Sequence, residues 1–179
     1  ALRSTNDSDT TLGYLVITGS ALKLTAGEDG IQAETTLTIS GGTATVTTAG
    51  GAGQSISDDT SAKGLKAGTQ VTVTGGTFQL NCCDDAIHSN GDVTISGGSF
   101  TIASDDGINA AGGSDQSGSG GFGFAPDSFG GSGDYLIRIS GGVVTVNASG
   151  DGIDSNGDIE VTGGELYISG PTSNGDGTI

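Results

Sequence analysis

Six short stretches of the chain alternate apolar and polar residues and end on the same punctuation. LVIT, LTIS, VTVT, VTIS, IRIS and IEVT each stand before a glycine turn. The turn is Gly-Gly at 41–42, 75–76, 97–98, 141–142 and 163–164, and Gly19-Ser20 in the earliest case. A second alternating stretch follows each turn: LKL, ATV, FQL, FTI, VTV and LYI. Alternation with period two puts one set of side chains on one face of a strand, so both stretches read as strands. The second turn positions fall at 20, 42, 76, 98, 142 and 164, with steps of 22, 34, 22, 44 and 22. The unit is therefore 22 residues, enlarged twice.

An acidic corner then leads into a third short segment: EDGIQA, KGLKA, DDAIHS, DDGINA and GDGIDS. Three inward columns follow from the alternation. They are Leu15/Leu37/Val71/Val93/Ile137/Ile159, Leu24/Val46/Leu80/Ile102/Val146/Ile168 and Ile31/Leu65/Ile87/Ile108/Ile153. Small residues (Ala33, Ala67, Ser89, Ala110, Ser155) stand two places after the third column. Three strands and three corners per unit predict an all-β fold, a right-handed parallel β-helix of about six 22-residue turns. Recurrent Gly-Gly and β-branched strands oppose helix. A sandwich of irregular strands leaves the 22-residue step unexplained.

The two enlargements, residues 50–61 and 112–133, are rich in Gly and Ser and read as loop insertions in a single domain spanning 1–179. Phe122, Phe124 and Phe129 on the second are expected to pack on their own scaffold in preference to a ligand. Leu2 and Ile179 have the same phase within the unit, so the chain is expected to be a central piece of a longer solenoid. The alternative is self-association through uncapped ends, since unpaired strand edges are templates for other chains.

Composition narrows the partners. Only 32% of the 179 residues are hydrophobic, while 36 are Gly, but the apolar residues sit in strand patterns that a disordered chain lacks. A net charge of −16 disfavours nucleic acid and bare anionic membrane, and favours cations or polar ligands held through cations. No apolar run approaches the roughly 20 residues of a membrane span, and no leader peptide is visible.

Stacking turns the acidic corner into a column: Glu28-Asp29, Lys63, Asp84-Asp85, Asp105-Asp106, Asp151 and Asp176. Beside it run Gln32, Lys66, His88, Asn109 and Asp154. Carboxylates about 4.8 Å apart repel by about 0.9 kcal/mol even in water. Raised pKa values, splaying into solvent or bound cations relieve this. Calcium suits a corner of carboxylates, amides and backbone carbonyls. The candidate metal ligands are Glu28, Asp29, Asp84, Asp85, Asp105, Asp106, Asp151 and Asp154. The competing reading is that Asp-Gly pairs are turn residues, with Lys63 neutralising its neighbours. His88 has no catalytic partner at fixed spacing and reads as one variant of its column, so no catalytic residue is assigned. Alternation points Cys82 inward and Cys83 outward, and a disulfide between adjacent residues would be strained.

GEDGIQAETTLTISGG, SAKGLKAG, DDAIHSNGDVTISGG, DDGINAAGG and GDGIDSNGDI together resemble a bacterial secreted carbohydrate-binding β-helix family. That resemblance implies a fold similar to pectate lyases, binding of cellulose or acidic sugars such as polygalacturonate, bound calcium and an extracellular or cell-surface location. The family's acidic corners match Asp29, Asp85, Asp106 and Asp151. The expected function is a non-catalytic carbohydrate-binding module. A structural fibre subunit and a calcium-dependent polysaccharide lyase are the rivals, and Arg138 is the one candidate base for the lyase.

Overall fold

The computed structural model describes residues 1–57, 60–111 and 134–172. The 112–133 insertion with its three Phe residues, Asp176 and Ile179 lie outside them. Every described element is a strand. Six are short: β1 (Leu2–Ser4), β3 (Ile31–Ala33), β5 (Leu65–Ala67), β8 (Ile87–Ser89), β11 (Ile108–Ala110) and β13 (Ile153–Ser155). They pair in that order into one parallel sheet.

The remaining strands form a second, eight-stranded parallel sheet. They are β2 (Leu15–Ala26), β4 (Thr36–Thr48), β6 (Gln70–Val73), β7 (Thr77–Asn81), β9 (Asp92–Ile95), β10 (Ser99–Ser104), β12 (Leu136–Ala148) and β14 (Asp158–Ser169). The first half of β4 pairs with β6 and its second half with β7. These continue to β9 and β10, and both then pair with β12. At the margins β2 pairs with β4, and β14 with β12.

The expected right-handed parallel β-helix of about six 22-residue turns with two loop insertions, three strands and three corners in each turn, is corrected on two counts. The stretches on either side of Gly-Gly are not separate columns. Four strands run straight through the glycine turn, which is a bulge inside one sheet: pairing shifts register between Ile17 and Ala21 and between Ile139 and Val143. Two sheets result. The step also departs from the expected one at the start: paired positions in the six-stranded sheet lie 29, 34, 22, 21 and 45 residues apart, so the first connection is lengthened as well as the two expected ones. The connections vary in length while the apolar pattern holds each strand in register.

The glycine pair has two separate causes. The second glycine takes positive φ: 95° at Gly42, 117° at Gly76 and 92° at Gly142. Side chains rarely adopt that conformation. The first glycine touches its neighbour, since a Cβ on Gly141 would stand 2.5 Å from the Ser96 carbonyl oxygen.

Between the sheets lies the core. Leu37, Val71, Val93 and Ile137 are fully buried in one column, and Ile31, Leu65, Ile87 and Ile108 in another. Phe78 and Phe100, paired across β7 and β10, stack with ring centroids 4.6 Å apart and planes 11° from parallel. Burying each such side chain contributes about 1.5–3 kcal/mol. Phe100→Ala should therefore cost about 3–5 kcal/mol in stability, read from the urea midpoint, while Thr101→Ala on the exposed face should cost less than about 1 kcal/mol.

Candidate functional site

The six-stranded sheet's ladder extends backward into the corner. Gly30 donates its N–H to the Lys63 carbonyl, Gly64 to Asp85, Ala86 to Asp106 and Gly107 to Asp151, each at 2.8–2.9 Å. Asp29, Lys63, Asp85, Asp106 and Asp151 therefore stand in one column. Strand register sets a second column beside it: Gln32, Lys66, His88, Asn109 and Asp154.

At one end the protein supplies its own countercharge. Lys63 Nζ lies 2.9 Å from both carboxylate oxygens of Asp84 and 3.1 Å from Asp85 Oδ2. His88 Nδ1 sits 2.8 Å from the same Asp85 oxygen, and its Nε2 lies 2.9 Å from Asn90 Oδ1. Lys66 Nζ approaches Asp29 Oδ2 at 3.5 Å, while Asp29 Oδ1 accepts from Ser61 Oγ and the Lys63 N–H at 2.7 and 2.9 Å. Asp29, Lys63, Lys66, Asp85 and His88 are all buried. Buried ions hold only when paired and hydrogen-bonded, and these are.

The far end differs. Asp106 Oδ1 accepts the Asp151 N–H at 2.7 Å, and its Oδ2 accepts from Asn109 Nδ2 at 3.4 Å. Asp105, exposed, accepts from Ser149 Oγ at 2.6 Å. Among the described residues, Asp105, Asp106 and Asp151 have no ion pair with Lys, Arg or His. Asn109 Oδ1 is a buried atom with no hydrogen-bond partner there. Glu28 is exposed at the opposite margin, and Asp154 is half-buried.

Protonation follows this asymmetry. Burial alone would lower the Lys63 pKa, but the Asp85 and Asp84 charges outweigh it and the ammonium is held well above its usual range. Burial likewise raises Asp84, yet the Lys63 charge and hydrogen bonds bring its carboxyl below the ordinary value. Asp106 has no such partner. Burial, with the Asp85 and Asp105 charges, pushes it up to about 7 although the Asp151 N–H opposes the shift.

Of the eight sequence-predicted ligands, Asp29, Asp84 and Asp85 are thus engaged by cationic side chains of the protein, while Asp105, Asp106 and Asp151 are not. Lys63 does neutralise its neighbours. Ser61 and Asn90 were missed as partners: Ser61 is in phase with Ser104 and Ser149, and Asn90 with Asn156, but the repeat does not say which of these side chains reaches a neighbour. Both cysteines are free and buried. Burial pushes the Cys82 thiol up to about 12, and Cys83 donates its S–H to the Gln54 carbonyl at 3.1 Å. Such thiols are poor nucleophiles.

A family model described as carbohydrate-binding domain-containing protein matches residues 1–110. The chain belongs to this carbohydrate-binding family. Comparison with curated proteins and with solved structures finds no match. In this carbohydrate-binding domain the matched span takes in β1 to β11, with the corners at Asp29, Lys63, Asp84-Asp85 and Asp105-Asp106.

Two outcomes test the corner. Lys63→Met strands buried carboxylates and should destabilise by about 3–5 kcal/mol, with part recovered when Asp84→Asn and Asp85→Asn are added, all read by denaturant unfolding at pH 7. The second concerns Asp106, whose folded pKa exceeds its unfolded value of 3.8. The folded state then binds the extra proton between those limits, so this group's contribution declines as pH rises from about 4 to about 7. Asp106→Asn should remove that slope and, in chelator, make the domain roughly 1–3 kcal/mol more stable than wild type at pH 8. The gap should close toward pH 4.

Proposed function

We propose that this carbohydrate-binding domain is a non-catalytic, extracellular module that holds a polysaccharide, with calcium bound at the Asp105–Asp106–Asp151 end of its acidic corner. The family match over residues 1–110 carries the reading. The absence of a catalytic role is supported by the state of the bases. Arg138, the candidate lyase base, spends its guanidinium on Glu160 at 2.8 Å. Lys63, Lys66 and His88 are buried and paired.

Calcium does not fit Asp29, Asp84 and Asp85, whose charge is already met by lysine. Among the described residues, no group of three or more His, Cys, Asp or Glu is placed to hold a metal ion. At the far end a site would draw on the Asp106 and Asp151 carboxylates together with the Asn109 amide oxygen and backbone carbonyls. Calcium accepts such a mixed oxygen set and completes it with water. The partnerless Asn109 oxygen and the raised Asp106 pKa support a cation there.

The domain should sediment with insoluble polysaccharide and release no unsaturated product from polygalacturonate, followed by ultraviolet absorbance at alkaline pH with calcium. Calcium should raise the melting temperature of the wild type, and the Asp106→Asn/Asp151→Asn double variant should lose that rise. Product formation would end the non-catalytic reading. Binding without any calcium-dependent shift would end the calcium reading alone.

A further inference from the structure

After the glycine turn, the outward positions of the eight-stranded sheet line up across six strands. One row runs Lys23, Thr45, Gln79, Thr101, Thr145 and Tyr167, each in direct register with the next. All six are exposed. The rows on either side run Thr43, Thr77, Ser99 and Val143, and Thr47, Asn81, Ala103 and Asn147. On the four central strands, β4, β7, β10 and β12, these three outward rows hold no charged residue. That is unusual ground on a chain with net charge −16. Charge returns only at the margins, with Lys23 on β2 and Glu165 on β14.

Backbone polar groups on this face are consumed by the ladder, so its polar chemistry belongs to short hydroxyl and amide side chains. Those both donate and accept, as sugar hydroxyls require. Neighbouring strands lie about 4.8 Å apart, close to the length of one β-linked hexose. At one end stands Tyr167, more than half exposed, its hydroxyl donating to Glu165 Oε2 at 3.1 Å. That bond orients an aromatic ring beside the row.

We propose that this face is the polysaccharide site, and that its ligand is a neutral β-linked hexose polymer lying across the strands, one sugar to each. Tyr167 stacks on a sugar ring at one end. The inference rests on the carbohydrate-binding reading and adds to it a surface and a charge class. An acidic polymer finds Lys23 as the row's only cation and meets the repulsion of an acidic protein. A neutral polymer loses no charge solvation on docking, and a rigid sheet has little side-chain entropy to surrender.

The test is sedimentation of the full chain with insoluble cellulose, and gel retardation in polygalacturonate, both in chelator. Thr101→Arg and, on the neighbouring strand, Gln79→Arg should each weaken cellulose binding at least tenfold. Tyr167→Ala should weaken it severalfold. Ser8→Arg, which adds the same charge in an exposed segment away from the row, should leave it unchanged, with melting curves confirming that all variants fold. Wild-type cellulose binding retained by folded Thr101→Arg and Gln79→Arg overturns the face and spares the carbohydrate-binding reading. Retention on polygalacturonate and not on cellulose overturns the neutral ligand. Binding to neither overturns both.

Discussion

Parallel backbone pairing is the constraint from which the rest follows. In a parallel ladder with little register slip, each residue lies beside its counterpart in the next strand, about 4.8 Å away. Like therefore meets like. Where the repeated residue is Leu, Val or Ile, the result is a continuous core that no single unit could bury alone. Where it is Asp, the same rule assembles charge that must be answered. The core and the acidic corner are thus two outcomes of one geometry, favourable in the interior and costly at the edge.

The answer to that charge differs along the column. Toward β5 and β8 it is covalently part of the chain: Lys63 stands in the acidic column itself and binds the carboxylates beside it. Toward β11 and β13 no described cationic side chain does so, and burial with the neighbouring charges raises the Asp106 carboxyl pKa to about 7. A tethered ammonium fixes the first end whatever the medium contains. The second end carries a carboxyl whose protonation depends on pH. Rigidity and responsiveness are separated within one side of a small domain.

Much of this was legible in the sequence because period-two alternation reports directly on burial. The inward columns at Leu37, Val71 and Val93 and at Ile31, Leu65 and Ile87 could be read from residue type and spacing, and all are buried. The number of sheets could not. Gly-Gly signals a break in conformation, and whether the break is a corner or a bulge depends on the φ of its second residue and on the carbonyl that faces its first. The glycine spacing also misled at the start of the chain, since residues 5–14 lengthen the first connection without disturbing it. At the corner, the acidic column was visible as repeated Asp. Which carboxylates were already satisfied was not, because the repeat places Ser61 and Asn90 without showing that one reaches Asp29 and the other His88.

The unequal connections bear on how the chain finds its structure. Ile108 pairs with Ile153 across 45 residues as directly as Ile87 pairs with Ile108 across 21. The longer closure adds only about 0.7 kcal/mol of chain entropy, so the finished protein scarcely registers it. The search is another matter. Every strand pair here joins residues at least 21 apart, and sheets made of such distant pairings form slowly. β12 pairs with β9 and β10, and β14 with β12, so each finds its partner only once the earlier strands are in place. Such a domain gains from being made in order, one strand laid on the last as the chain emerges, with the late arrivals finding a template already built.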